Sequence, residues 1–191
     1  MRANLLSNYC ITYGGSISPG NLNQIIVYAD ADFSRKPEIR KSRSGYVIYF
    51  NNGPITWKSA LQKKSTSIIN EDDNTDICTI ATSTSESELY AMYDATRTAK
   101  WFREFLRELG FVQNVTLCHE DNKGCFDWIT TPRMSSRMLH LPLEVYWLRE
   151  TYEHGDFDYV LTPTEEQKAD IMTKQINPKP FYKQIIMLYN L

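Results

Sequence analysis

The stretch IIVYADADF, residues 25–33, decides the fold of this 191-residue chain. It begins with β-branched and aromatic residues and then turns acidic, as a buried strand does when it ends at a polar edge. Further along the chain, GYVIYF (45–50) and ITWKS (55–59) each have the alternating pattern of a strand. NNGP (51–54) between them has the composition of a tight turn. The chain is therefore predicted to begin as an antiparallel meander of three strands.

Two helical patterns follow in the middle of the chain. Ser83 and Glu86 fit a capping box, in which Glu86 reaches back to the N-cap, and they predict a helix through about Thr98. A second helix is predicted over residues 99–109, with Gly110 as its C-cap. The apolar face predicted for this second helix comprises Trp101, Phe102, Phe105, Leu106 and Leu109.

Strands and helices alternate in the second half of the chain. Asn122 and Thr164 are placed to cap helices, and Gly155 is placed to end one. The predicted elements are strands at 115–121 and 156–161, and helices after Asn122 through Trp128 and at 143–155, 164–174 and 178–191. The stripe predicted to face the core from 143–155 comprises Leu143, Tyr146, Trp147 and Tyr152.

The predicted order β-β-β-α-α-β-α-α-β-α indicates an α/β fold with a mixed sheet flanked by helices. The length favours one domain with tails. We expect a connecting or truncated N-terminal segment at 1–24, the domain at 25–175 with a loop insertion at 60–82, and a C-terminal helix or tail at 176–191.

Charge and hydropathy exclude several classes of protein. The formal net charge is −2 and the pI is near 5.9, so binding of nucleic acid through bulk basic charge is not expected. No apolar run approaches the length of a membrane span, and the N-terminus does not resemble a signal peptide. We therefore expect an intracellular protein without membrane partners.

Two simple metal motifs are also rejected. Cys118, His119 and Cys125 come near the spacing of zinc ligands, but no fourth ligand is evident, so reduced structural thiols are expected. Residues 72–76 mimic the start of a calcium loop, but Ile77 stands where glycine is needed, and the twelfth position also lacks its glutamate.

Four acidic residues lie in four separate segments, two after strand-like runs and two in helix-like runs. They are Asp30, Glu88, Asp121 and Asp170. Mg²⁺ and Mn²⁺ prefer oxygen ligands, and two such ions about 4 Å apart assist an in-line phosphoryl displacement. Without metal, crowded carboxylates raise one another's pKa, so such a site is expected to favour cations.

Each of these four residues has a competing interpretation. Asp32 shares a strand face with Asp30, and Glu86 competes with Glu88 although its capping role disfavours it. Glu120 lies beside Asp121 and is expected to point to the opposite face. Without the surrounding motif, Asp170 would be interpreted as an ordinary exposed helix residue.

A series of motifs, taken in order, resembles a known family. They are YADADF (28–33), RKSRSGY (40–46), GPITWKS (53–59), STSESELYAM (83–92), DNKG (121–124) and LTPTEEQKADIMTK (161–174). From about residue 11 to its end, the chain closely resembles the ribonuclease H (RNase H) domain of Pol polyproteins from copia-type retrotransposons (Ty1/copia, Pseudoviridae). PTEEQKADIMTK is highly specific to that group, whereas SESE alone would be weak.

The resemblance implies an RNase H-like fold, with a five-stranded mixed sheet of three antiparallel strands followed by parallel strands. It implies cleavage of the RNA strand of RNA–DNA hybrids during reverse transcription, leaving a 5′-phosphate and a 3′-hydroxyl. By motif position it assigns Asp30, Glu88, Asp121 and Asp170 as catalytic and metal-binding residues for two Mg²⁺ or Mn²⁺ ions. It also implies an adjacent reverse transcriptase domain, and action in cytoplasmic virus-like particles, with the nucleus as a second location.

The chain departs from the family pattern in two places. The link between ITWKS and the ExE helix is longer by roughly a dozen residues, a length that suggests a surface loop. The family's KHID segment is LHLP here, at 139–142, so Pro142 replaces an acidic residue while His140 is retained. His140 is a candidate auxiliary residue, with His154 as an alternative, although a lone histidine is more often structural.

Substrate contacts are expected from local cations, because a hybrid is recognised through its phosphates and 2′-hydroxyls. The first candidates are Arg35, Lys36, Arg40, Lys41 and Arg43, and further options are Lys63, Lys64, Arg133 and Arg137. A solvated charged turn is the competing interpretation for each of these groups.

Three functional hypotheses follow from these patterns. The first is a metal-dependent RNase H. The second is a catalytically inactive or domesticated retrotransposon fragment that acts as a nucleic-acid-binding or interaction module. The third is another nuclease of the same fold, which the ADIMTK phrase disfavours.

Overall fold

Five strands form one mixed sheet in the order β3-β2-β1-β4-β5 in the computed structural model. The structure describes residues 11, 13, 22–33, 42–62, 81, 83–132, 142–174, 183–186 and 188. The strands are β1 (Ile25–Asp32), β2 (Arg43–Phe50), β3 (Gly53–Leu61), β4 (Thr116–Glu120) and β5 (Phe157–Leu161). β1 and β3 both pair antiparallel with β2, whereas β4 runs parallel to β1 and β5. The predicted mixed sheet, with three antiparallel strands followed by parallel strands, is confirmed.

The first predicted pair of helices is a single helix in the structure. The helices are α1 (Thr84–Glu108), α2 (Lys123–Thr130), α3 (Leu143–Glu153) and α4 (Asp170–Thr173), and residues 183–186 and 188 are also helical. The prediction of two helices between 83 and 109 was wrong, because α1 is continuous. No glycine or proline interrupts 84–108, so nothing in the backbone ends the helix earlier.

Most of the predicted helix caps are present. Ser83 Oγ accepts a hydrogen bond from the Glu86 N–H at 3.2 Å, and Asn122 Oδ1 accepts one from the Cys125 N–H at 3.0 Å. Gly110 follows α1 with φ of 86°, a left-handed conformation that favours glycine. The Glu86 carboxylate accepts a hydrogen bond from the Tyr90 hydroxyl at 2.8 Å.

The turn of the first hairpin is shorter than the motif NNGP suggested. Asn51 and Asn52 both have positive φ, 49° and 61°, which is the pattern of a two-residue turn between twisted strands. Gly53 and Pro54 already belong to β3, and β3 continues to Leu61. The first two positions of the predicted 60–82 insertion are therefore strand, and most of the rest lie outside the described residues.

The main core lies between the sheet and α1, α2 and α3. Ala91, Ala95 and Ala99 of α1 are buried, and their small side chains allow the helix to approach the sheet closely. The predicted apolar stripes were partly wrong, since Trp101 is 60% exposed and Leu143 is 82% exposed. Burial follows the helix face turned to the sheet, which includes Leu106 of α1 and comprises Val145, Leu148, Arg149 and Thr151 in α3.

The opposite face of the sheet packs against α4 and the C-terminal helical residues. Gly45 of β2 makes this possible, because a Cβ there would lie 2.5 Å from Met172 Cβ and 2.7 Å from Thr173 Cγ2. Ser59 of β3 adds a hydrogen bond to the Met172 carbonyl at 2.5 Å. The glycine of the SGY motif therefore sets the distance between α4 and the sheet.

In the part of the chain that the structure describes, no helix is both long enough and apolar enough to cross a bilayer. The predicted division at 24 and 175 stays a prediction, since the residues around these positions are only partly described.

Candidate metal centre

The ends of two parallel neighbouring strands position the first carboxylates of the site. Asp30 lies near the end of β1 and pairs with Gly45, and Asp121 follows β4 directly. Because β1 and β4 run parallel and adjacent, their carboxyl ends meet at one edge of the sheet. Asp30 and Asp121, which are 91 positions apart in the sequence, therefore lie close together.

Carboxylates from both faces of the sheet converge at this edge in two groups. We call Asp30, Asp121 and Asp170 the α4-side group, and Glu88, Glu120 and Asp121 the α1-side group. In each group, one oxygen from every residue lies within 4.8 Å of the others. Asp121 belongs to both groups, so the arrangement suits two neighbouring cations that share one ligand.

The α4-side group already contains a positive charge. Lys174 Nζ lies 3.2 Å from Asp30 Oδ1 and 2.6 Å from Asp170 Oδ1, and the Thr173 hydroxyl donates to Asp30 Oδ2. Burial raises the pKa of Asp30 to about 6, although Lys174 and Thr173 oppose that shift. Burial also disfavours the charged form of Lys174, but Asp30 and Asp170 outweigh it and raise the pKa of the lysine.

The two glutamates of the α1-side group are buried, and no cation of the described residues pairs with the group. Glu88 is 4% exposed and Glu120 is fully buried. Burial raises the pKa of Glu120 to about 8, and burial together with the neighbouring carboxylates raises that of Glu88. Among the described residues, Glu88 Oε2 and Glu120 Oε2 have no hydrogen-bond partner, which is unusual for buried oxygens.

Backbone groups and one thiol hold the α1-side carboxylates in place. Glu88 accepts a hydrogen bond from the Ala31 N–H, and Glu120 accepts one from the Asn122 N–H at 2.9 Å and another from the Cys125 thiol. These contacts use one oxygen of Glu120 and leave Oε2 unsatisfied.

Thr164 orients the shared residue of the two groups. Its hydroxyl donates to Asp121 Oδ2 at 2.9 Å. The prediction that Thr164 caps a helix over 164–174 was wrong, because Thr164–Glu166 is a 3-10 turn and α4 begins only at Asp170. The threonine hydroxyl is engaged by a carboxylate of the site and not by the backbone of its own segment.

Gln167 explains why the predicted long helix is interrupted. Its buried side chain donates to the Ala29 carbonyl at 2.9 Å and to the His119 carbonyl at 3.4 Å, and accepts from the Ala169 N–H at 3.2 Å. The segment is thus attached to the strand ends by tertiary hydrogen bonds, which periodicity does not reveal.

All four predicted carboxylates converge at the site, and their predicted alternatives are placed differently. Asp32 is exposed at the end of β1, and the Glu86 carboxylate is hydrogen-bonded to Tyr90. Glu120 corrects the expectation drawn from strand alternation. Its carboxylate lies within 4.8 Å of those of Glu88 and Asp121, so alternation along the strand does not keep it away from the site. The catalytic roles of these residues stay predictions.

Sequence reasoning missed four residues of the site: Glu120, Gln167, Thr173 and Lys174. Three of them lie within the quoted phrase PTEEQKADIMTK, so the specificity of that motif was the available signal.

The cysteines and His119 form a structural set. Cys118 and Cys125 are buried free thiols, and burial raises the pKa of Cys118 to about 12. His119 stacks on Tyr28 with a centroid distance of 4.3 Å, and its Nδ1 lies 2.8 Å from Thr162 Oγ1. These positions agree with structural thiols, and no zinc-like cluster of these residues occurs within the described ranges.

Most of the predicted substrate-contacting cations lie outside the described residues. Those are Arg35, Lys36, Arg40, Lys41, Lys63, Lys64, Arg133 and Arg137, together with the auxiliary candidate His140. Arg43 is described at the start of β2, where its Nη1 donates to Ser59 Oγ at 3.2 Å. His154 caps the C-terminus of α3. The nucleic-acid-binding assignment stays a prediction.

The donor set fits hard divalent cations. All ligand atoms are carboxylate oxygens, as Mg²⁺ and Mn²⁺ prefer. Among the described residues, two buried carboxylate oxygens have no partner, and an ammonium lies between two aspartates. Both observations indicate that the carboxylates of the site require compensating positive charge.

Solved RNase H structures share this fold. The RNase H1 called LC11, isolated from compost by a metagenomic approach, superposes with a TM-score of 0.55, covering 80% of this chain and 94% of that one at 16% identity. A crystal structure of LC11-RNase H1 in complex with an RNA/DNA hybrid gives a TM-score of 0.53 over 78% of this chain and 94% of that one at 14% identity. The chain therefore has an RNase H-like fold.

Several sequence relatives are Pol polyproteins of transposons. The chain is 29% identical over 174 residues to the retrovirus-related Pol polyprotein from transposon TNT 1-94 of Nicotiana tabacum, which is 90% of this chain. It is 26% identical over 88% of its length to that from transposon RE2 of Arabidopsis thaliana. The chain spans 11% of the length of these relatives. No protein-family model matches it. The resemblance to the RNase H domain of copia-type Pol polyproteins is confirmed.

Proposed function

We propose that this chain is a divalent-metal-dependent endoribonuclease that cleaves the RNA strand of RNA–DNA hybrids. The observation that supports this best is the pair of carboxylate groups sharing Asp121 at the end of β1 and β4. The fold shared with RNase H1, one of whose structures contains an RNA/DNA hybrid, supports the choice of substrate.

Two bound Mg²⁺ or Mn²⁺ ions would supply the positive charge that stabilises the phosphoryl transition state and activates water. The chain's own residues would hold and orient these charges. Asp30 and Asp170 would contribute to the α4-side ion, Glu88 and Glu120 to the α1-side ion, and Asp121 to both. Their positions on strand ends and helix termini restrict their movement.

The supporting contacts select particular carboxylate orientations. Thr164 orients Asp121, and the Ala31 N–H orients Glu88, so that their remaining oxygens are directed into the groups. The partly exposed Asp121 connects the buried carboxylates with solvent. A scissile phosphate would therefore approach the site from the Asp121 side.

The relatives suggest the biological setting. Pol polyproteins of transposons are much longer than this chain, and we propose that an adjacent reverse transcriptase domain supplies and holds the hybrid. The formal net charge of −2 supports dependence on a partner for substrate affinity. The proposed role is removal of template RNA during reverse transcription, in cytoplasmic virus-like particles and secondarily in the nucleus.

The test is cleavage of an end-labelled RNA–DNA hybrid with Mg²⁺ or Mn²⁺, comparing the natural chain with Asp121→Asn. Asp127→Asn is a matched control, because Asp127 is on the surface of α2, where it pairs with Lys123 at 3.1 Å. We expect metal-dependent cleavage of the hybrid by the natural chain and by Asp127→Asn, and its loss in Asp121→Asn. Single-stranded and duplex RNA should stay intact.

A folded chain that cuts hybrid with neither metal, alone or fused to a reverse transcriptase domain, would reject the proposal. That result would favour the inactive, nucleic-acid-binding fragment, which hybrid retention in a gel-shift assay would then detect.

A further inference from the structure

Lys174 occupies the position that a cation of the α4-side group would take. Its ammonium nitrogen is 2.6 Å from Asp170 Oδ1 and 3.2 Å from Asp30 Oδ1. The side chains of these aspartates are only 11% and 1% exposed. Buried carboxylates need a compensating charge, and in this group a lysine of the same chain provides it.

We propose that Lys174 is a tethered counter-ion that occupies the α4-side group in the metal-free chain and is displaced when a divalent ion binds there. This inference rests on the proposed function, because it assigns a divalent ion to that group. Lys174 is a positioning residue in this scheme and does not touch the substrate.

The geometry makes the two cations mutually exclusive. The ligand oxygens of Asp30, Asp121 and Asp170 lie within 4.8 Å of one another, so the group has room for one cation. An ammonium and a divalent ion within that space would repel each other strongly, because little water screens them. Binding of the metal ion therefore requires the ammonium to leave.

The lysine has a route out of the group. Its side chain is 38% exposed, unlike the aspartates it contacts, and it follows the last turn of α4. A lysine has a flexible four-carbon stem and a strongly hydrated head, so it reaches solvent by rotation of its own bonds. Thr173 still donates to Asp30 after the lysine leaves, which keeps that carboxylate oriented.

Competition by Lys174 should affect the binding of only the α4-side ion. Among the described ion pairs, none reaches Glu88, Glu120 or Asp121. Among the described residues, the α1-side ion therefore has no tethered competitor, and Lys174 sets the difference between two successive binding events.

The test is a titration of the folded chain with Mn²⁺, following free Mn²⁺ by electron paramagnetic resonance. The chains compared are the natural one, Lys174→Met, Lys174→Arg and Lys168→Met. Methionine keeps the length of the side chain and removes its charge, while arginine keeps the charge. Lys168 is the matched control, since it lies in the same segment but its ammonium is 4.5 Å from the centre of the Tyr49 ring.

Lys174→Met is expected to bind one of its two Mn²⁺ ions at least about tenfold more tightly than the natural chain does. This follows if Lys174 is out of the α4-side group in about 10% or less of the metal-free natural chain. Lys174→Arg and Lys168→Met should keep the natural affinity. The melting temperature of Lys174→Met should be lowered without metal and restored at saturating Mn²⁺. A purely structural lysine would lower it equally in both conditions.

Unchanged or weaker Mn²⁺ binding by Lys174→Met would overturn the inference. Hybrid cleavage measured on the same samples separates this from failure of the proposed function. Cleavage by the natural chain with unchanged Mn²⁺ affinity in Lys174→Met rejects only the role of Lys174. Absence of both Mn²⁺ binding and cleavage in all four chains rejects both proposals.

Discussion

The α4-side and α1-side groups share Asp121 but compensate their negative charge in different ways. Lys174 reaches the α4-side group from a partly exposed position, so an ammonium neutralises it. The α1-side group lies beneath α1, where burial raises the pKa of Glu120 to about 8 and favours its protonated form. Both groups contain buried carboxylates, so the difference between them is whether a basic side chain reaches the carboxylates, as Lys174 does in the α4-side group.

The largest expected effect comes from removing one group at a time. Glu88→Gln and Asp170→Asn should each lower hybrid cleavage by about 10²–10³-fold or more, the loss typical when an electrostatic stabiliser of the transition state is removed. Each should also reduce the number of bound Mn²⁺ ions from two to one. Single-turnover cleavage and Mn²⁺ counting on the same samples measure both.

The stabilities of these two variants should change in opposite directions. Near pH 8 and without metal, Glu88→Gln should be at least as stable as the natural chain, because it removes a buried carboxylate with an unpartnered oxygen. Asp170→Asn should be less stable, because it weakens the pairing of Lys174. Equal losses of stability in both variants would contradict the difference between the groups.

An intermediate effect is expected from Gly45, which controls only the α4-side group. In Gly45→Ala the new methyl would clash with Met172 and Thr173, so α4 must move away from the sheet. The expected loss in free energy of unfolding is about 1–3 kcal/mol, as for other overpacked sites, with weaker binding of one Mn²⁺ ion. Chemical denaturation and Mn²⁺ titration measure these quantities.

Gly155→Ala separates this displacement from general destabilisation. Gly155 has φ of 75°, and no atom lies within 4 Å of the place that an added methyl group would take, so alanine there is strained but touches nothing. It should cost about 1–2 kcal/mol and leave Mn²⁺ affinity unchanged. If both variants bound Mn²⁺ equally well, the close approach of α4 would not matter to the site.

The smallest expected effect is a dependence of stability on pH that comes from the α1-side group. Glu120 and Glu88 have raised pKa values, so the folded metal-free chain keeps protons that the unfolded chain releases near its ordinary carboxyl pKa. Its free energy of unfolding should therefore fall by about 1–2 kcal/mol as pH rises from 6.5 to 8. Burial lowers the pKa of His119 from 6.5 to about 4, so its contribution has the opposite sign, rises mainly between these two values and is nearly complete soon after the window begins.

Urea unfolding at several pH values in the presence of a chelator measures this slope. Glu120→Gln should flatten it, whereas Glu153→Gln, on the exposed surface of α3, should not. Saturating Mg²⁺ should reduce the slope in the natural chain, because metal binding replaces the protons. If the free energy of unfolding still fell with pH in Glu120→Gln, the retained protons would belong to other groups.

Local patterns predicted the parts of the fold that depend on neighbouring residues. Ser83 and Asn122 act as N-caps because their side chains bond amides three positions away, and the strand periodicity of residues 25–59 survives in β1, β2 and β3. The predicted break in α1 and the predicted helix over 164–174 were wrong for a common reason. Continuation or interruption there depends on packing with the sheet and on Gln167, both of which are long-range.

The amino-acid sequence by itself determined the strand order along the chain, the resemblance to copia-type RNase H domains and the four carboxylates Asp30, Glu88, Asp121 and Asp170. Those features reside in local composition and in motifs. Only the tertiary structure decided that Glu120 reaches the site, that Asp121 is shared and that Lys174 lies between two aspartates. The reason is physical: side-chain distances at the end of a parallel strand pair depend on the register of β1 with β4 and on the closeness of α4 to Gly45.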